Sequence, residues 1–105
     1  MEILVVLSTF PNLETARQIA TVLVEAQLAA CVSLCPAAES IYRWQGRVES
    51  AAEVLALIKT TAAGFEPLER RLRELHPYEV PEIIALPAGK VSEAYVKWVQ
   101  ESVVA

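Results

Sequence analysis

There is no aspartate in this chain, one asparagine, one histidine and only three glycines among 105 residues. Each scarcity removes options. Three scattered glycines do not make a glycine-rich phosphate loop, and there is no Gly-x-Ser-x-Gly elbow and no His-Glu-x-x-His. The two cysteines, Cys31 and Cys35, are not spaced as Cys-x-x-Cys, so neither a dithiol redox site nor a thiolate copper clasp is written here. Positive charge is in deficit: the net charge is −4 and the pI about 5.0. That argues against nucleic acid, where affinity comes mainly from phosphate neutralisation. No apolar run reaches the ~18 residues that a membrane-crossing helix needs. The start, Met1-Glu2-Ile3-Leu4-Val5-Val6-Leu7, lacks the basic flank and cleavage site of a secretory signal. The chain therefore reads as soluble and cytoplasmic, with no nucleic-acid and no membrane partner. The near-absence of asparagine suits a heat-tolerant source.

What is present is hydrophobic side chain, at 54% of the sequence. The usual figure is ~45–50% even with glycine counted. A chain of this length supports a single domain, residues 1–105, with one core. The surplus predicts apolar surface left over for a partner.

Residues 2–10 form a near-continuous apolar run, the pattern of a strand buried on both faces. Pro11 stops it and Asn12 is placed to cap a helix, on which Ala16, Ile19, Ala20 and Leu23 fall at helical spacing. A strand starting at Cys31 is broken at Pro36 and resumed by Ser40-Ile41-Tyr42-Arg43-Trp44. Gln45-Gly46 reads as a two-residue hairpin turn. The return strand runs from Glu49 to Thr60 and is apolar on both faces across Val54–Ile58. Phe65, Leu68, Leu72 and Leu75 mark a helix over 65–75, Glu82–Leu86 a short strand, and Ser92 the cap of a last helix. Within the first of these strands Cys31 and Cys35 share a face about 13 Å apart at ~3.3 Å per residue, too far for a disulfide. They are expected to be reduced, buried thiols.

The order is βαββαβ plus a terminal helix, an α+β, ferredoxin-like sandwich. Right-handed crossovers place both main helices on one face of the sheet. The other face should then be wet, yet its strands are apolar on both sides. Either the terminal helix or another subunit must cover it. A ten-residue helix is small for a whole sheet face, so subunits are favoured.

Between the second long helix and the last strand stands His76-Pro77-Tyr78-Glu79-Val80-Pro81-Glu82. Each proline fixes its own φ and pushes the preceding residue into extended conformation. A stiff, accessible connector carrying His and Glu can hold metal ligands in place; it can equally be a plain helix-to-strand joint.

Leu28-Ala29-Ala30-Cys31-Val32, Ser40-Ile41-Tyr42-Arg43-Trp44-Gln45-Gly46, Leu57-Ile58-Lys59-Thr60-Thr61 and the connector, in that order, resemble the CutA family of divalent-cation tolerance proteins. The resemblance spans essentially the whole chain. It implies a homotrimer of ferredoxin-like subunits whose sheets pack around a threefold axis. The hairpin carrying Tyr42 and Trp44 would reach a neighbour, so these two are the expected oligomer-interface residues. It also implies an association with copper or other divalent metal ions. In some members copper binding involves a cysteine near the end of the first strand and paired histidines at the connector. This chain has Ser8 and Leu75 at those places, so His76 is the matching metal candidate, with Glu79 or Glu82 or a neighbouring chain completing the shell. No cofactor is otherwise required.

A second reading is a trimeric sensor resembling PII-type regulators, which bind ligands in clefts between subunits. Lys59, Arg43 and Arg47 would meet the anion, with Tyr78 in the cleft. An enzyme is disfavoured: His76 with a cysteine would be the nucleophile pair, but Cys31 is expected within the sheet.

Overall fold

The computed structural model describes residues 2–104. Strand β1 (Ile3–Phe10) leads into helix α1 (Leu13–Glu25), followed by a long hairpin of β2 (Cys31–Trp44) and β3 (Arg47–Thr61). Helix α2 (Phe65–Leu75), strand β4 (Ile84–Pro87) and helix α3 (Glu93–Ser102) complete it. The strands form one antiparallel sheet in the order β2-β3-β1-β4. This is the split βαβ arrangement the sequence predicts.

The helix boundaries follow local chemistry. Asn12 Oδ1 accepts the Thr15 N–H at 2.8 Å and starts α1. Gly64 precedes α2 because nothing larger fits: a Cβ there would lie 2.8 Å from Val103 Cγ1 and 2.9 Å from Thr60 Oγ1. His76 ends α2 with extended backbone (φ −71°, ψ 134°), as a residue before proline must. Ser92 stands at the head of α3, but its side chain makes no capping bond, so the cap expected there is one of position only. Strand β4 begins at Ile84; Glu82, expected to open it, lies in the coil before it.

Strand alternation divides the sheet into two unlike faces. Val6 and Phe10 of β1, with Val54, Ala56 and Ile58 of β3, lie under α1 and α2 against Ala16, Ile19, Leu23, Leu68 and Leu72. All of these are buried. On the opposite face, α3 covers one end only, packing Val99 and Val103 against Ile3 and Ala30. The rest of that face carries Val5, Leu7, Leu55 and Leu57, half-buried, and Ile84 and Leu86, 47% and 44% exposed. No described element covers it.

Pro36 does not break β2 as expected. The register slips by one residue between Cys35 and Ala38, a β-bulge with Ala37 at φ 66°. Pro36 falls within that bulge of an edge strand, where the register gives it no partner, so its missing N–H costs no ladder bond. The extra residue swaps the parity of the strand. Cys31, Ser33 and Cys35 pair with Lys59, Leu57 and Leu55; beyond the bulge Ser40, Tyr42 and Trp44 pair with Ala51, Glu49 and Arg47. The bulge thus puts Tyr42 and Trp44 on the uncovered face. Both cysteines are free, but Cys31 is half-buried and Cys35 exposed, so neither is the buried thiol expected. The hairpin closes through Gln45 (φ 49°) and Gly46 (φ 80°), the left-handed pair that a two-residue turn requires.

Candidate functional site

The connector from His76 to Glu82 docks across the end of β1 and the base of the hairpin arm. His76 is buried, 8% exposed, and stacked on Phe10 with ring centroids 4.8 Å apart. Its Nε2–H donates to the Thr9 carbonyl at 2.8 Å, and its Nδ1 accepts the Tyr78 N–H at 3.1 Å. A carbonyl can only accept and an amide N–H can only donate, so these two bonds select the neutral Nε2–H tautomer. Burial lowers the imidazole pKa below its ordinary value, against the opposing pull of the Thr9 carbonyl and the nearby Glu53 carboxylate.

The accessible imidazole expected from the sequence is therefore not what the fold makes. Both ring nitrogens are consumed in holding the connector to β1, and neither is left for a metal ion. Nor do the neighbouring family positions help. Ser8 shares the helix-covered face, fully buried, with its hydroxyl unpartnered. Leu75 packs against the core. Glu79 is exposed and Glu82 half-buried. Among the described residues no three His, Cys, Asp or Glu side chains converge as metal ligands. The residues of one chain do not fit a copper or zinc centre at His76, which takes several nitrogen or sulfur ligands.

What the connector does build is an open pocket of about 650 Å³ against the hairpin arm. Thr9, Ser40, Ala51 and Glu53 form its sheet side, Tyr42 and Trp44 stand on the arm, and Tyr78, Glu79 and Glu82 come from the connector. Glu53 is only 9% exposed. Its Oε2 accepts the Tyr78 hydroxyl at 2.5 Å. Burial, then the bond to Glu53, pushes the Tyr78 phenol well above its usual range, so it stays the donor. Tyr42 and Trp44 are 42% and 43% exposed.

Lys59 lies elsewhere. Its Nζ donates to Ser33 Oγ at 2.7 Å and to the Leu57 carbonyl at 3.1 Å. Six residues along β3 separate it from Glu53, roughly 20 Å at ~3.3 Å per residue. Lys59 and Tyr78 do not share a cleft within the chain, and Arg43 and Arg47 sit at the hairpin tip, where Arg43 reaches the Gly46 carbonyl. Glu53 was not singled out from the sequence. Its signal was there: a carboxylate at the head of the apolar run Val54–Ile58, on the uncovered face.

A family model described as CutA1 divalent ion tolerance protein matches residues 4–102. A divalent-cation tolerance protein CutA of Thermus thermophilus is 51% identical over 98 residues, covering 93% of this chain and 95% of that protein. Protein CutA of Homo sapiens is 45% identical over 93 residues, 89% of this chain; the chain spans about half of that longer protein, 52%. The structure of a Thermus thermophilus divalent cation tolerance protein superposes with a TM-score of 0.94 at 49% identity, over 97% of this chain and 99% of that one.

Proposed function

The chain belongs to the CutA1 family of divalent ion tolerance proteins, and on that premise we propose that it works in the cytoplasm as a homotrimer in divalent-cation tolerance, as a binding protein and not an enzyme. One observation carries the assembly: the sheet face with Val5, Leu7, Leu55, Leu57, Ile84 and Leu86, apolar and uncovered by the chain's own helices. Contiguous apolar surface of this kind marks an interaction site. The hairpin arm supports the same reading from both sides. Tyr42 and Trp44 stand out on one face, and Ile41 and Val48, more exposed still, on the other. Two free thiols suit a reducing compartment.

The ion is copper or another divalent metal, held by ligands that more than one subunit contributes, since His76 is engaged within its own chain. Glu79 and Glu82 on the connector and Cys35 on the uncovered face are the groups left open for it. An anionic ligand at Tyr78 finds no support, because three carboxylates and no basic side chain line that pocket among the described residues.

Light scattering on dilute protein should give about three times the 11.5 kDa subunit mass. Calorimetric titration of that species with copper and zinc should saturate at a fixed ratio, and His76→Ala should leave the ratio unchanged. A folded monomer at micromolar concentration rules out the assembly reading. Loss of the metal on His76→Ala, with the fold intact, rules out the shared site.

A further inference from the structure

The connector has little to hold it. Pro77 and Pro81 have no N–H to give, and among the described residues no backbone–backbone bond is made by residues 77–82. Val80 is 71% exposed, and Pro77 and Glu79 are exposed beside it. The two ends are fixed: the His76 N–H donates to the Leu72 carbonyl at 2.9 Å, and Ile83 packs against the core. Between them two hydrogen bonds fasten the segment, and both belong to Tyr78. Its N–H donates to His76 Nδ1 and its hydroxyl to Glu53 Oε2. Backbone that is exposed and so sparsely bonded opens locally at small cost.

One proton acts on both fastenings. The ring accepts the Tyr78 N–H at Nδ1 because its own hydrogen sits on Nε2 and goes to the Thr9 carbonyl. An imidazolium has a hydrogen on each nitrogen, so at Nδ1 a donor would face the donor of Tyr78. The new N–H needs an acceptor. Glu53 on β3, whose carboxylate attracts the cation, is the acceptor that the Tyr78 hydroxyl already uses. The other neighbours supply no counterweight. From β1 the ring meets the Thr9 carbonyl and the Phe10 face, neither of them titratable. From the connector comes the Tyr78 ring, 4.8 Å away, whose hydroxyl stays protonated throughout. The charges in the last turn of α2, Arg73 and Glu74, are exposed and turned to Glu69 and Arg71 on the same helix. We propose that residues 77–82 are a strap with a proton-operated latch: neutral His76 holds it on β1, and protonation at Nδ1 releases it while the sheet and the α1/α2 core stay folded. Burial favours the neutral ring and so keeps the latch shut at neutral pH. The bonds of the latch lie within one chain and none involves Tyr42 or Trp44, so the device is present in monomer and assembly alike.

The test is amide hydrogen exchange followed by NMR on the full-length protein, in whatever assembly it adopts, from about pH 8 down to the onset of acid unfolding. Exchange is corrected for the pH dependence of unprotected amides, and the imidazole is followed through its own ring resonances. Protection of the Tyr78 N–H should fall about tenfold in step with protonation of the ring, while Ile58 and Leu72 in the core keep theirs. In His76→Asn the step should vanish. Tyr78→Phe removes one fastening, so opening should begin at higher pH, its midpoint shifted up toward the ~6.5 of a free imidazole. Tyr78 protection that is absent, or unchanged across the titration of the ring, overturns the proposal. So does a ring that stays neutral until the core unfolds, or loss of protection at Ile58 and Leu72 in the same step. A step that persists in His76→Asn, or a midpoint unmoved by Tyr78→Phe, overturns it too. Should His76→Asn fail to fold, the titration of the ring in the parent and the shift in Tyr78→Phe carry the same decision.

Discussion

One sheet here meets two fates. Its even-numbered positions on β1 and β3, Val6, Phe10, Val54, Ala56 and Ile58, are sealed beneath α1 and α2. Its odd-numbered positions, Val5, Leu7, Leu55 and Leu57, come from the same strands and the same side-chain types, yet lie open beyond the reach of α3. Burial of apolar area yields about 25 cal/mol per Å² wherever the covering surface comes from. The covered face therefore stabilises the subunit, and on the homotrimer proposed above the open face would yield the same kind of energy to association.

Substitutions on the two faces should separate these roles. Leu72→Ala, in the covered core, should lower stability by about 2–5 kcal/mol, read as a drop in the urea midpoint. Leu57→Glu, on the open face, should leave the far-UV dichroism of a folded subunit while light scattering falls toward 11.5 kDa. If Leu57→Glu lowers the urea midpoint of the subunit as Leu72→Ala does, or stays assembled, the two faces are not divided as described.

Among the described residues, Ser8 is the one flaw on the covered side. Its hydroxyl is fully buried among apolar neighbours without a partner. An unsatisfied buried group carries its desolvation penalty, so Ser8→Ala should raise stability by roughly 1 kcal/mol. A lower urea midpoint would mean the hydroxyl has a partner in solution, such as a trapped water.

The smallest effect belongs to the connector, at the rim of the open face. Its imidazole is held neutral, with a folded pKa below the ordinary value of about 6.5. The unfolded chain then binds the proton more readily than the folded one. The contribution is complete above pH ~6.5, falls as the pH drops from there toward the lowered folded value, and levels off below it. Protonation at Nδ1 removes the acceptor of the Tyr78 N–H. Urea midpoints between neutral and mildly acidic pH should therefore decline in the parent and decline less in His76→Asn. Parallel profiles would show that His76 does not carry this dependence.

Much of the covered side was legible beforehand. Period-2 and period-3.6 patterns depend on neighbours in sequence, so the element order, the bounds of α2, the Asn12 cap and the Gln45-Gly46 turn could all be read directly. The doubly apolar strands likewise announced an uncovered face. The site was read less well. Pro36 looked like a strand break because a proline cannot donate to a ladder; in an unpaired bulge of an edge strand that loss is harmless, and strand order and register are properties of the whole sheet. His76 looked accessible because prolines stiffen a connector without saying what it lies against.

Sequence alone thus determined the secondary elements, their order, the surplus of apolar surface and the family resemblance, because these rest on local periodicity and on residues close along the chain. Tertiary structure decided which side of the arm Tyr42 and Trp44 occupy, since a one-residue bulge at Ala37 inverts every position after it. It also decided that His76 is spent on the Thr9 carbonyl and the Tyr78 N–H, and that Glu53 meets Tyr78 in a pocket. The bond of His76 to Thr9 and that of Tyr78 to Glu53 join residues 67 and 25 positions apart, and only the packing of the finished sheet brings them within bonding distance.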